Sequence, residues 1–292
     1  VIAVSLGVFG KSGTSLYTAE GRSEHVLPNI KATTQFIGTV AAVVTTLGTL
    51  ALMTICIMQG FDPVHAFFNG LWVTLGCYDT GGFSPHSTSI IYYQSWTFEV
   101  VAMLIMLLGS VNFVLYARVV RGNVREFFRN IEVRTLFIWL SILVVVFSAS
   151  LFYNEHVEDI FMVMRRGVFL IISAATSTGY QLFSSNQMQQ VVTSGATFVV
   201  ILAMAIGASS GSTAGGIKAM RLGIMCKASV VQIRRVFLPD NAQVSTVYYH
   251  GEKRMLTSSE TNGALVVLSL FCVSMVFGAL LGIAYGYDAL PA

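Results

Sequence analysis

Two short turns of this chain offer backbone carbonyls in a setting that suits a bare cation. Cys77-Tyr78-Asp79-Thr80-Gly81-Gly82-Phe83 forms one, and Ala175-Thr176-Ser177-Thr178-Gly179-Tyr180 the other, 97 residues on from Gly82 to Gly179. The same offset carries Asp62 onto Asp159, Gly70 onto Gly167 and Phe83 onto Tyr180, which marks an internal repeat. Gly82 and Gly179 reach backbone angles closed to other residues and so turn successive carbonyls towards one axis. Thr80, Ser177 and Thr178 add hydroxyls to the carbonyls of 79–82 and 176–179. Such a Thr/Gly-rich turn has the chemistry of a dehydrating oxygen cage for a monovalent cation, potassium or sodium. Ordinary polar loops at a membrane surface are the plainer reading of the same residues.

A third stretch breaks an apolar run. Residues 190–206 are apolar, then Gly207-Ala208-Ser209-Ser210-Gly211-Ser212-Thr213-Ala214-Gly215-Gly216 follows, and the pattern resumes towards Arg221. Ten small or hydroxyl residues do not hold a lipid-facing helix, so this loop is expected to line a water-filled path and to act as a gate. The alternative is a small-residue seam for close helix packing. Lys218 is either a charge facing the path or a side chain that snorkels to the interface.

The elements that position these loops follow from composition. Hydrophobic residues make up 54% and charged residues 11%, with a mean hydropathy of +0.71, which excludes an ordinary soluble domain. Apolar runs long enough to span a bilayer lie at about 33–58, 94–117, 135–153, 190–206 and 263–286. Two shorter ones, 63–77 and 160–174, suit helices that enter the membrane and turn back. Asp62 and Asp159 stand at their starts, where a carboxylate caps free amides and suits the positive end of the dipole. The negative end then points at each turn. Bare backbone at that depth is tolerated only inside protein or against a cavity.

Loop charge gives the orientation. Arg118, Arg121, Arg125, Arg129 and Arg134 fall between the second and third spans. Lys218, Arg221, Lys227, Arg234, Arg235, Lys253 and Arg254 follow the broken fourth, and Lys11, Arg22 and Lys31 precede the first. Residues 84–93 carry no charge. Alternate threading puts every basic loop on one side, the cytoplasmic one, and both turns face outside. The cysteines (Cys56, Cys77, Cys226, Cys272) contain no CxxC pair and are expected to be apolar packing residues. Scattered histidines exclude a metal cluster.

Enzyme chemistry is not expected. Gly207-Ala208-Ser209-Ser210-Gly211 matches G-x-S-x-G, but no histidine lies on a span at the depth of Ser209 to act as its base. The phosphate-loop pattern fails because Ile217 separates Gly216 from Lys218. The fold expected is an all-α membrane protein of repeated span, re-entrant pore helix, filter loop and span, in a pseudo-fourfold cation pore. Residues 1–32 read as the tail of a first unit and a cytoplasmic linker, 33–120 as a second unit, and 121–236 as a third. Residues 237–292 read as a linker and the first span of a fourth, because Gly286-Tyr287-Asp288 resembles Gly60-Phe61-Asp62. The chain thus reads as a fragment holding two complete units, and a purely structural, non-conducting membrane subunit is the rival class.

Asp79-Thr80-Gly81-Gly82-Phe83, Thr176-Ser177-Thr178-Gly179-Tyr180 and Gly211-Ser212-Thr213-Ala214-Gly215-Gly216-Ile217-Lys218 together resemble the TrkH/KtrB family of bacterial potassium-translocating subunits. Leu16-Tyr17-Thr18-Ala19-Glu20 with Leu27-Pro28-Asn29-Ile30 is similar to the family's linker after its first unit. The resemblance implies a potassium uptake pore in the bacterial plasma membrane, made of four covalently linked units, with no bound cofactor and K+ as the transported ion. Gly82 and Gly179 become filter glycines, and 207–216, with Gly207, Ser209, Ser210, Gly211, Ser212, Thr213, Gly215 and Gly216, the intramembrane loop that closes the path. It further implies a homodimer regulated by cytoplasmic RCK-type nucleotide-binding subunits docking on 118–134 and 225–260. Two features depart from the pattern. Asp79 puts a carboxylate at a filter entrance, where it either attracts cations or pairs behind the filter with Arg165 or Arg166, and Tyr180 replaces the more usual Phe.

Overall fold

A computed structural model describes residues 30–152, 160–184, 194–237 and 246–286. Asp159, the 1–29 segment and the third copy beyond Gly286 lie outside the described residues. The chain is mostly helical and is built from two triads of the same plan. In the first, α1 (Ile30–Met58), α2 (Pro63–Tyr78) and α3 (Trp96–Gly109) pack on one another. After α4 (Phe113–Val120) and α5 (Val124–Arg129), the second triad is α6 (Ile131–Phe152), α7 (Ile160–Ala175) and α8 (Ser194–Ala205). The 97-residue offset maps the bounds of α2 onto those of α7 residue for residue. Then follow α9 (Ala219–Val236), a hairpin of β1 (Val247–His250) and β2 (Glu252–Met255), and α10 (Ser258–Ala284).

Among the described residues, three helices are long and apolar enough to cross a membrane: Ala32–Met58, Ile131–Ser150 and Ser258–Ala284, with mean hydropathies of 2.2, 2.0 and 2.6. The Ser194–Ala205 helix is apolar but shorter. The run expected as an unbroken span over 94–117 is not one. It divides at Ser110–Asn112 into α3 and α4, bent by 99°. The cause is local: Asn112 caps the new helix, its side chain accepting the Val114 amide at 2.8 Å. By the repeat offset, Ser110 falls on Gly207, so both triads break their last helix at the same place.

The short helices start as their sequence dictates. Asp62 caps α2, accepting from the amides of Val64 at 3.1 Å and His65 at 3.5 Å, with Pro63 in the first turn where its missing N–H costs nothing. Each triad has its own apolar core, one around Leu52, Val73 and Phe98 and the other around Leu140, Phe147 and Ile171. The repeat glycines let each short helix approach its long partner. A Cβ on Gly70 would stand 2.8 Å from the Thr49 carbonyl, and one on Gly167 would stand 2.5 Å from the Phe147 ring. The triads meet along α3 and α7. There Arg165 grips Glu99 with two charge-assisted bonds of 2.6 Å, and its guanidinium lies 5.1 Å from the Trp96 ring centroid.

Arg165 goes to Glu99 rather than Asp79, and the Arg166 guanidinium lies 6.0 Å from the Phe183 ring. Cys56 and Cys77 are core residues as expected, but Cys226 and Cys272 are exposed; Cys272 sits on α10, which buries only 6% of its apolar window within this chain. The hairpin is an addition to the all-helical expectation. It turns at Gly251 (φ +74°), buries Tyr248, and ties to α10 through a 2.7 Å bond from the Tyr248 hydroxyl to Glu260. Burial and that bond push the Tyr248 hydroxyl up to about 12. Arg118 reaches across to the Gly251 carbonyl and to Glu126, and Lys227 to the Val247 carbonyl at 2.9 Å.

Candidate functional site

The two turns are built alike, bond for bond. In the first, the amide of Thr80 donates to Cys77, and those of Gly81 and Gly82 both donate to the Gly76 carbonyl, at 3.0 and 3.2 Å. In the second, the amide of Ser177 donates to Ala174, and those of Thr178 and Gly179 both donate to the Ser173 carbonyl, at 2.9 and 3.4 Å. In each turn every second residue is left-handed: Thr80 (φ 53°) and Gly82 (φ 66°), then Ser177 (φ 60°) and Gly179 (φ 86°). Glycine takes such angles freely. Threonine does not, and holding a β-branched residue there costs on the order of 1–3 kcal/mol.

The turns also touch. A Cβ on Gly82 would fall 1.9 Å from the Thr178 carbonyl oxygen, so the first turn leaves room for glycine alone. The Tyr180 hydroxyl donates to the Phe83 carbonyl at 2.6 Å, linking the two positions that the repeat makes equivalent. A second donor is unavailable to phenylalanine, so the Tyr-for-Phe departure becomes a cross-link. Of the three hydroxyls expected as extra cation ligands, two have protein partners. Thr80 Oγ1 donates to the Asp79 carbonyl at 2.7 Å, and Thr178 Oγ1 bonds Thr176 Oγ1 at 2.8 Å, both threonines of the second turn being buried. Asp79 is exposed and caps the C-terminus of α2, where the helix dipole disfavours a carboxylate and favours a cation.

Beneath both turns lies the small-residue loop. Thr213 Oγ1 donates to the carbonyls of Tyr78 at 3.0 Å and Gly109 at 2.8 Å, so it sits against the end of the first short helix. On the other side a Cβ on Gly215 would stand 3.4 Å from Ser177 Oγ. The loop folds on itself: Ile206 and Ile217 form a parallel bridge, and Gly207 packs on the Gly215 carbonyl too closely to admit any side chain. Its amides at Ser209 and Thr213 donate to Ser110 and Gly109, at 3.2 and 3.3 Å. The two helix breaks are therefore bonded to each other. Ser212 donates internally to the Ser209 carbonyl at 2.7 Å, and Gly211 and Gly216 take left-handed angles. The Lys218 ammonium turns back onto the Ala214 carbonyl of the loop.

A cavity of about 730 Å³ runs past these parts, lined by Trp72, Tyr78, Asp79, Phe83, Phe113 and Thr213 among others. It joins the first turn to the loop. Sequence reasoning brought together the turns and the loop but missed Glu132, whose fully buried carboxylate accepts from the Ser210 amide at 3.0 Å and from its hydroxyl. No local pattern around a lone acid between arginines pointed to it.

Repeated span, pore helix and turn units enclosing backbone oxygens define a membrane protein of the cation-pore class. The family model described as TrkH, cation transport protein, matches residues 1–279, and the chain belongs to that family. An uncharacterised cation transporter of Methanocaldococcus jannaschii is 27% identical over 293 residues, covering 99% of this chain and 56% of the relative. The Trk system potassium uptake proteins TrkH of Halomonas elongata and of Escherichia coli K12 are each 27% identical, over 82% of this chain and 48% of their own. The chain thus spans about half the length of the curated relatives it matches. The crystal structure of the potassium transporter TrkH from Vibrio parahaemolyticus shares the fold, with a TM-score of 0.75 and 19% identity over 94% of this chain and 56% of that one.

Proposed function

We propose that this chain supplies two arcs of a potassium uptake pore, with the carbonyls of 79–82 and 176–179 as the ion ligands and 207–216 as the gate. The observation that carries the reading is the pair of turns with left-handed residues at matching alternate positions, in contact at Gly82 and Thr178. Alternation of left- and right-handed backbone turns successive carbonyls to one side, and a ring of such carbonyls replaces a cation's hydration shell. Two pore helices ending at these turns add favourable dipole ends. Potassium is proposed because relatives over most of this chain are named for potassium uptake. Transport, not catalysis, is the work of this site, and no cofactor enters it.

The loop supports a gate by its position against both turns, at Tyr78 and Ser177, and by its small side chains, which let it shift without displacing bulky neighbours. On this reading the full protein works in a bacterial plasma membrane as a homodimer. Its cytoplasmic RCK-type nucleotide-binding partner docks on the basic segments 118–134 and 225–260.

The test is made in the full-length protein, reconstituted in liposomes. Gly82→Ser and Gly179→Ser are expected to insert normally and to lower the K+ over Na+ permeability ratio; an unchanged ratio overturns the filter assignment. Deleting 209–214 is expected to raise rubidium flux, and unaltered or lower flux overturns the gate.

A further inference from the structure

Glu132 is a buried acid that the transport reading leaves unused. It stands in the first turn of α6, fully inaccessible to solvent. Its own amide donates to Asn130 Oδ1 at 2.8 Å. One carboxylate oxygen accepts from the Ser210 amide and hydroxyl, and the other from Asn112 Nδ2 at 3.3 Å. Ser210 belongs to the 207–216 loop. Asn112 belongs to the break between α3 and α4, where its Oδ1 caps α4. Among the described residues no cation pairs with Glu132, so neutral donors and the positive end of α6 hold its charge.

We infer that Glu132 is the positioning residue of the intramembrane loop, a latch that holds Ser210 down and couples the loop to the bend at Ser110–Asn112. The inference rests on the gate reading above. The physical argument is asymmetric: a buried carboxylate stripped of its donors is far costlier than one that keeps them. Ser210 therefore leaves only when Glu132 gains another partner, water admitted by opening or a proton. Because the second oxygen is held by Asn112, displacement of the loop also loosens the cap of α4. The two broken helices are bound to move together.

The experiment uses the full-length protein in liposomes, with Glu132→Gln, Ser210→Ala and the double variant. Two readouts are taken: rubidium flux, and the rate at which Ala214→Cys, placed in each background, reacts with a methanethiosulfonate reagent. Loss of one charge-assisted bond is expected to raise basal flux and cysteine reactivity roughly tenfold, with the K+ over Na+ ratio unchanged. The double variant is expected to fall short of the sum of the singles, since both weaken the Ser210–Glu132 contact. Flux and reactivity both at the parent level in Ser210→Ala, which deletes a single hydroxyl and leaves the fold intact, overturn the latch even where Glu132→Gln fails to insert. The 209–214 deletion separates this from failure of the gate reading. Raised reactivity in the point variants beside unaltered flux in the deletion means that the latch exists and the loop is no barrier. Raised flux in the deletion beside inert point variants means that the loop is a barrier and Glu132 does not hold it.

Discussion

Thr80 and Ser177 are the residues whose backbone the fold strains, and they occupy equivalent places two residues before the turn glycines. Strain of that kind persists only where surrounding bonds over-determine it, and here the shared carbonyls of Gly76 and Ser173 do so. Tyr180 is where a difference between the two turns becomes a bond between them. Removing its hydroxyl with Tyr180→Phe deletes the 2.6 Å bond to Phe83 and is expected to cost about 0.5–1.5 kcal/mol. A lower melting temperature in detergent, with surface expression retained, checks it. The residue types of the turns were legible from glycine and threonine at a fixed offset. What each hydroxyl bonds was not, because Thr80 and Thr178 satisfy themselves through local rotamers that no spacing encodes.

Among the elements, α2 and α7 read cleanly from sequence: a short apolar stretch and a glycine turn mark each one, and Asp62 caps the start of α2. The break at 110–112 did not, because Ser-Val-Asn contains neither Gly nor Pro. Its signal lay in the repeat, which sets Ser110 opposite Gly207. The hairpin was hidden by length, although Val247–Met255 alternates in the manner of a strand pair around Gly251. Two predictions belong to this scale. Glu99→Gln leaves Arg165 without its carboxylate at the α3–α7 contact; with Arg165 partly solvated, a loss of roughly 1–3 kcal/mol is expected, read as a fall in melting temperature. The outer segment 84–95 is fastened by Asn69, whose Oδ1 meets His86 Nε2 at 2.9 Å and the Tyr93 hydroxyl at 2.7 Å, while His86 stacks on Tyr92 at 3.5 Å. Partial burial holds His86 below its ordinary value. The unfolded segment therefore binds the proton more tightly than the folded one, and stability falls as pH drops below about 6.5. Hydrogen exchange of 84–95 is expected to quicken at pH 5 relative to pH 8, and His86→Gln to abolish the difference.

At the scale of the whole molecule, loop charge sets the expected orientation. Arg121 and Arg125 are exposed on the side of α4 and α5, and Ser87 is exposed beside the turns. Ser87→Cys is expected to react with a membrane-impermeant thiol reagent added to intact cells, and Arg121→Cys only after permeabilisation; the reverse pattern inverts the topology. The repeat and the number of hydrophobic runs made this architecture readable from composition alone. Which unit leans on which was not readable, since the α3–α7 ion pair and the loop's bonds to Gly109 and Ser110 join residues 66 to 104 positions apart.

The bond from Tyr180 to Phe83 has a consequence for ancestry and engineering. A ring of identical chains carries the same side chain at every corner, so a tyrosine at one corner is a tyrosine at all. Here one corner donates through a phenolic oxygen while its repeat mate supplies only a carbonyl. Two repeats joined in one polypeptide are free to mutate separately, and this pair of turns is accordingly unequal. Each of the two turns is separately addressable by single-codon changes.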